Sequence, residues 1–208
     1  MDGLESTLKE VETQLNNQLE RREKLLKESR DVIASCSKAI VHIHNGRRPD
    51  ATRELRSARA RLNSLRKYGE GPLARYLVSP ETEFVEASAV IALAGRRPIP
   101  TKSSLGTSSE AYLLGLLDTV GELKRLTLDS IMDGEISLAR RHFASMEQLY
   151  AACSPFAVFD HVANGTRRKI DVARMLVEDV RGVLTEELRR DELEGSIRSL
   201  EKRLRSAD

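Results

Sequence analysis

Apolar residues recur at intervals of three and four along almost the whole chain. Leu4, Leu8, Val11, Leu15 and Leu19 open such a stripe, and Leu26, Ile33, Cys36 and Ile40 resume it. This spacing lays one face of an α-helix against a core, so it predicts one long first helix ending near Asn45-Gly46, where the chain can take a positive φ. Leu55, Ala58, Leu62 and Leu65 predict a second helix that stops at residues 69–72, Gly-Glu-Gly-Pro. Ser79-Pro80 predicts the start of a third, with Ser as N-cap and Pro at the first position, running to about Ala94. Residues 95–109 have no apolar period and are rich in Pro, Gly and Ser, which predicts a loop.

Thr107 and Glu110 have capping-box spacing for a fourth long helix over residues 110–132. Asp133-Gly134 separates it from a fifth over about 135–152, and Ser154-Pro155 interrupts again. The last helix begins after Gly165-Thr166 and carries Ala173, Val177, Val180, Leu184 and Leu188. Around Arg189-Arg190-Asp191 the stripe jumps by five before resuming at Leu193, Ile197, Leu200 and Leu204, which allows a kink, a stutter or a short separate helix in a tail over about 191–208. No repeat and no β-hairpin signal interrupts this pattern. The expected fold is all-α: a single-domain antiparallel bundle of about six or seven helices over residues 1–208.

Composition agrees with the periodicity. Of 208 residues, 40% are hydrophobic and 32% charged, a mix that favours long helices and is large enough for a core without disulfide staples. Cys36 and Cys153 form no CxxC pair, so buried thiols are expected rather than a zinc site. Residues 1–30 are charged throughout and the longest apolar stretches are too short to span a bilayer, so a cytoplasmic protein without membrane association is expected. A net charge of +2 excludes a polycation, and any nucleic-acid affinity must come from local clustering of the basic residues.

Two helices carry acids where the pattern asks for apolar residues. Glu83 and Glu86 are three apart on the third helix, and Asp118 and Glu122 are four apart on the next long one. Each pair sets like charges side by side, at about 0.2–0.5 kcal/mol even on an exposed helix and more when half-buried. Gly115 and Gly121 flank Asp118 at three residues on either side, leaving a bare patch that another backbone or a substrate can approach. One reading pools the four carboxylates around a divalent cation, with magnesium suited by its preference for oxygen. The other pairs them with the plentiful arginines.

Residues 45–67 hold eight basic side chains, and Arg56, Arg59 and Arg66 share one stripe with Asn63. That stripe reads either as a phosphate track or as a solvated face paired with an acidic neighbour. His42 and His44, two apart, point to different sides of a helix and are not a shared metal site.

Tyr112-Leu-Leu-Gly-Leu-Leu-Asp118-Thr-Val-Gly-Glu122-Leu resembles the signature helix of the translin superfamily, in the form carried by translin-associated factor X. Glu83-Phe-Val-Glu86-Ala resembles the acidic motif of that group, Ser29-Arg30-Asp31 with Ser37-Lys38 its first helix, and residues 168–183 the last helix of single-component members. The resemblance implies a metal-dependent endoribonuclease acting on single-stranded RNA. Glu83, Glu86, Asp118 and Glu122 would hold Mg2+ or Mn2+ and its attacking water. It places Arg30 and Lys38 beside the active site, where a cation could hold the scissile phosphate. It also implies a homo-oligomeric barrel of eight subunits with inward-facing sites. The alternative is a translin-like oligomer that binds single-stranded RNA or DNA without cutting it.

Overall fold

The computed structural model describes residues 2–206. Among them are seven α-helices and no strand, as the apolar period requires. The chain divides into two compact units, one up to Gly115 and one from Leu116 on.

The first unit is built on α1 (Asp2–His44), α2 (Arg48–Arg66) and α3 (Val78–Ala94), with a 3₁₀ segment, Gly71–Leu77, leading into α3. α1 packs on both α2 and α3. Leu25, Val32, Cys36 and Ala39 meet Ala51, Ala58, Leu62 and Leu65 of α2, and Phe84, Val85 and Val90 of α3, in a continuous core. The turn between α1 and α2 is made at Gly46, whose φ of 70° suits glycine. α3 is buried on nearly every side, which is why its sequence shows little amphipathic alternation. A short helix, α4 (Lys102–Leu105), and the first turns of α5 (Ser109–Met132) complete this unit.

Here the structure corrects three expectations. α3 begins at Val78, with Leu77 at the cap position and no side-chain cap, so Ser79 is not the N-cap. The predicted loop holds α4, capped by the Thr101 hydroxyl accepting from Ser104 N and ended by Gly106 at φ 67°. At the start of α5 it is Ser108 whose hydroxyl accepts from Ala111 N, at 3.2 Å, while the buried Thr107 hydroxyl has no partner. The capping role therefore falls one residue later than the Thr107–Glu110 spacing implies.

The second unit comprises the rest of α5, then α6 (Ile136–Cys153), a 3₁₀ segment at Ser154–Phe159, and α7 (Thr166–Arg205). Val120, Leu123 and Leu126 share its core with Ala139, Phe143 and Met146 of α6 and Ala173, Val177 and Val180 of α7. Ion pairs brace the rim: Lys124 with Asp179 at 2.5 Å, and Arg181 with Glu147 at 2.6 Å. α7 continues unbroken through Arg189-Arg190-Asp191, so the five-residue jump neither ends nor divides it. Residues 207–208 of the predicted tail lie outside the described residues.

The two long helices outrun their neighbours. At 1.5 Å per residue, the 43 residues of α1 reach about 65 Å and the 19 of α2 about 28 Å, so α2 covers less than half of α1. Leu4, Leu8, Leu15 and Leu19 are accordingly exposed, although they continue the stripe that becomes core from Leu25 on. The same holds for α7, where Leu193, Ile197, Leu200 and Leu204 lie beyond the reach of the 18-residue α6 and are exposed. The periodicity predicted helix correctly, but not burial. No helix among the described residues is long and apolar enough to cross a membrane.

Candidate functional site

α3 places two acids on a helix that is buried on nearly every side. Glu86 is 9% exposed, in a run of buried residues that extends from Phe84 to Ala92. Glu83, one turn earlier, is half-buried. Their field reaches Cys36 on α1. Its thiol is pushed up to about 12, first by burial and then by the negative charges of Glu83 and Glu86. An unfolded thiol ionises near 9.0, so below that pH both states keep the proton. Above it the unfolded chain releases a proton that the folded chain retains, and stability falls as pH rises from about 9 toward 12. Denaturant unfolding between pH 8 and 11 should show this decline, and Cys36→Ala should reduce it, leaving the part due to Cys153, whose buried thiol is pushed up to about 11. An equal slope in the variant would show that Cys36 is not its source.

The bare patch expected around Asp118 admits another backbone on one side and is open on the other. A Cβ at Gly115 would lie 2.5 Å from the Thr82 carbonyl oxygen and 2.7 Å from Val85 Cβ, so α5 touches the backbone of α3 there. At Gly121 a Cβ would meet nothing within 4 Å. The two glycines should therefore respond oppositely to alanine. Gly121→Ala is expected to gain up to about 1 kcal/mol of helix propensity. Gly115→Ala has the same gain, but it is outweighed by an overpacking cost of about 1–3 kcal/mol that no side-chain rotation can relieve. Urea unfolding of both variants checks this; a stabilised Gly115→Ala would contradict the close approach.

Asp118 lies in the second unit, half-buried, in an ion pair with Lys169 of α7. Glu122 follows one turn along, also half-buried. The four acids thus come as two pairs, one in each unit. Among the described residues no group of three or more His, Cys, Asp or Glu side chains is placed to hold a metal ion. The carboxylates suit magnesium in kind, because it takes hard oxygen, keeps several waters and commonly needs only one or two carboxylates beside a substrate phosphate.

The basic stripe on α2 separates into two roles. The Arg66 guanidinium donates from Nε to Glu81 Oε1 at 3.1 Å, from Nη1 to Asn63 Oδ1 at 2.8 Å and from Nη2 to the Leu105 carbonyl at 3.1 Å. Glu81, almost fully buried, also accepts from Ser108 N at 2.8 Å. Arg66 is therefore a structural tie between α2, α3 and the segment leading to α5, with its guanidinium engaged inside the protein. Arg56 and Arg59 stay exposed beside a cavity between α2 and α3.

Residues 73–185, more than half the chain, match the Translin family. The chain belongs to the translin family. It is 33% identical over 166 residues to an uncharacterized protein of Methanocaldococcus jannaschii, a match covering 77% of this chain and 73% of that relative. It is similar to the crystal structure of AfC3PO, with 30% identity and a TM-score of 0.80 over 87% of this chain and 96% of that one. The structure of AfC3PO in complex with duplex RNA gives 29% identity and a TM-score of 0.78 over the same shares.

In this translin-family chain, Arg30 and Lys38 lie exposed on α1. Lys169 is the residue that sequence reasoning passed over. It borders the apolar stripe of α7, beside Ile170, as Asp118 borders that of α5, beside Leu117. Opposite charges flanking two facing stripes were the available signal.

Proposed function

We propose that this chain is a divalent-metal-dependent endoribonuclease that cuts single-stranded RNA, working in the cytoplasm as a homo-oligomer of eight subunits. The observation that carries this reading is the burial of Glu86 in an apolar helix, within a family whose similar member AfC3PO has been solved with duplex RNA. A buried carboxylate is costly unless a cation or a proton offsets it. Glu83, Glu86, Asp118 and Glu122 are the acids assigned to hold Mg2+ or Mn2+. When bound, such an ion neutralises phosphate charge and makes water a better nucleophile at neutral pH.

The chain's own residues do the rest. Lys169 holds the Asp118 carboxylate in one orientation and offsets its charge. Arg30 and Lys38 on α1, with Arg56 and Arg59 on α2, offer cations for the RNA backbone, while Arg66 maintains the frame. The exposed leucine stripes on the outer parts of α1 and α7 support self-association, which would cover them.

The second reading, an oligomer that binds RNA or DNA without cutting it, is favoured by the Lys169–Asp118 pair, which neutralises one acid without any metal. Incubating labelled single-stranded and duplex RNA with Mg2+, with Mn2+ and with EDTA separates the two. Cleavage of the single strand that EDTA stops supports the enzyme. Binding with no cleavage under either metal leaves the binding module, and a monomer in light scattering removes the octamer.

A further inference from the structure

The cavity between α2 and α3 carries on its rim Arg56 and Arg59, two of the residues proposed above to contact RNA. It has a volume of about 430 Å3, within the range of sites that take small ligands. Leu55, Phe84, Ile91 and Leu105 form its apolar floor, and Pro98 and Pro100 stiffen one wall. Three guanidinium-bearing residues, Arg56, Arg59 and Arg97, line the same cavity. Among the described residues none of them is paired with a carboxylate. Arg56 donates from Nε to the Thr52 carbonyl at 3.4 Å, and Arg59 donates to the Ser104 carbonyl. Each guanidinium has five N–H donors, so most remain available.

The turn that brings Arg97 to this cavity is itself costly. α3 closes with Arg97 N donating to the Ala92 carbonyl at 2.8 Å and Arg96 N to the Leu93 carbonyl at 3.0 Å. This geometry sets Arg96 at φ 56°, a position glycine normally fills. A side chain in that conformation costs about 1–2 kcal/mol. Like charges lining one cavity repel one another, and an anion at the rim offsets that repulsion.

We propose that this cavity binds a nucleoside 5′-monophosphate, its base on the apolar floor between Leu55 and the two prolines and its phosphate between Arg56, Arg59 and Arg97. The planar guanidinium forks match phosphate oxygens two at a time, and an apolar floor takes the flat body of a base. An inorganic anion would leave the floor unused, and an uncharged base would leave the rim unused. That the apolar body is a nucleobase rests on the RNA reading above; the charge pattern does not. The nucleotide comes either free or as the phosphorylated end of an RNA strand.

Isothermal titration of the full chain in EDTA with 5′-AMP, adenosine and inorganic phosphate tests this. Binding of 5′-AMP should exceed that of adenosine and of inorganic phosphate by at least about tenfold, since each lacks one half of the contact. Arg56→Gln and Arg97→Gln, both exposed and not expected to unfold the chain, should each weaken 5′-AMP binding by about tenfold. Arg53→Gln, on the same helix but paired with Asp50, should not. A 5′-phosphorylated octanucleotide that competes with 5′-AMP better than its 5′-hydroxyl counterpart identifies a strand end; competition by neither identifies the free nucleotide. The proposal is overturned if 5′-AMP does not bind, if adenosine binds as tightly, or if the two Gln variants bind normally. Glu86→Gln should bind 5′-AMP like the unmodified chain. A protein that binds 5′-AMP without cutting RNA thus loses the nuclease reading alone, and one that cuts RNA without binding 5′-AMP loses this one alone.

Discussion

Glu86→Gln is expected to lower the rate of RNA cleavage on the order of 10³-fold while leaving RNA binding within about twofold. A 10³-fold loss corresponds to about 4 kcal/mol of transition-state stabilisation, the scale found when one strong electrostatic contact to the reacting centre is removed. The amide keeps the shape of the side chain and one acceptor oxygen but abolishes the charge. Glu86 is 9% exposed and three residues from Glu83, so the substitution removes both a desolvated charge and a like-charge neighbour. A functional acid loses activity while the melting temperature holds, whereas a structural acid loses stability together with activity. Single-turnover cleavage at saturating Mg2+, with the melting temperature measured on the same sample, is the check. Undiminished cleavage would remove Glu86 from the site.

Arg66→Ala should have the largest effect on stability, about 3 kcal/mol, which for a chain of this size lowers the melting temperature by about 6–12 °C. The Glu81 side chain is only 6% exposed and that of Arg66 24%, so removing the guanidinium strands a buried carboxylate. It also frees the Leu105 carbonyl and the Asn63 side chain that Arg66 now engages. Glu81 would keep its bond from Ser108 N but lose its counter-charge. The double variant Arg66→Met with Glu81→Gln should cost less than Arg66→Ala alone, because no uncompensated charge then remains. Urea unfolding of the three proteins decides the matter. A loss under about 0.5 kcal/mol for Arg66→Ala would return Arg66 to the exposed basic stripe.

The helices were legible wherever an apolar stripe of three or more turns meets a neighbour, as in α2, in α5 and in α7 up to Leu184. They were legible as helices, but not as core, in the outer halves of α1 and α7, because period reports conformation and only a partner's length sets burial. α4 escaped notice because four residues are too few to display a period, and its Thr101 cap is visible only once the segment is seen to turn. The start of α3 was misplaced by two residues. Pro80 lacks a backbone N–H to pair in a first helical turn, so it tolerates a start at Val78 as well as one at Pro80 itself.

The acids announced themselves by sitting where pattern wanted apolar residues, and burial of Glu86 matches that signal. What the chain alone could not reveal was partnership. Arg56, Arg59 and Arg66 look equivalent along α2. They part company because Glu81, on a different helix, lies opposite only the last of them. Lys169 was passed over for the same reason, since its significance depends on Asp118, 51 residues away.

The two native thiols have a practical consequence. Cys36 and Cys153 are both buried, and burial pushes their ionisation up to about 12 and about 11, so at neutral pH neither offers a thiolate to a maleimide or a nitroxide reagent. The wild-type chain can thus act as its own silent background for labelling. A single cysteine introduced at a solvent-facing position such as Ser137 or Ser199 would carry a spin or fluorescent probe by itself, and distances across the assembled particle could be measured without first engineering the natural sulfurs away.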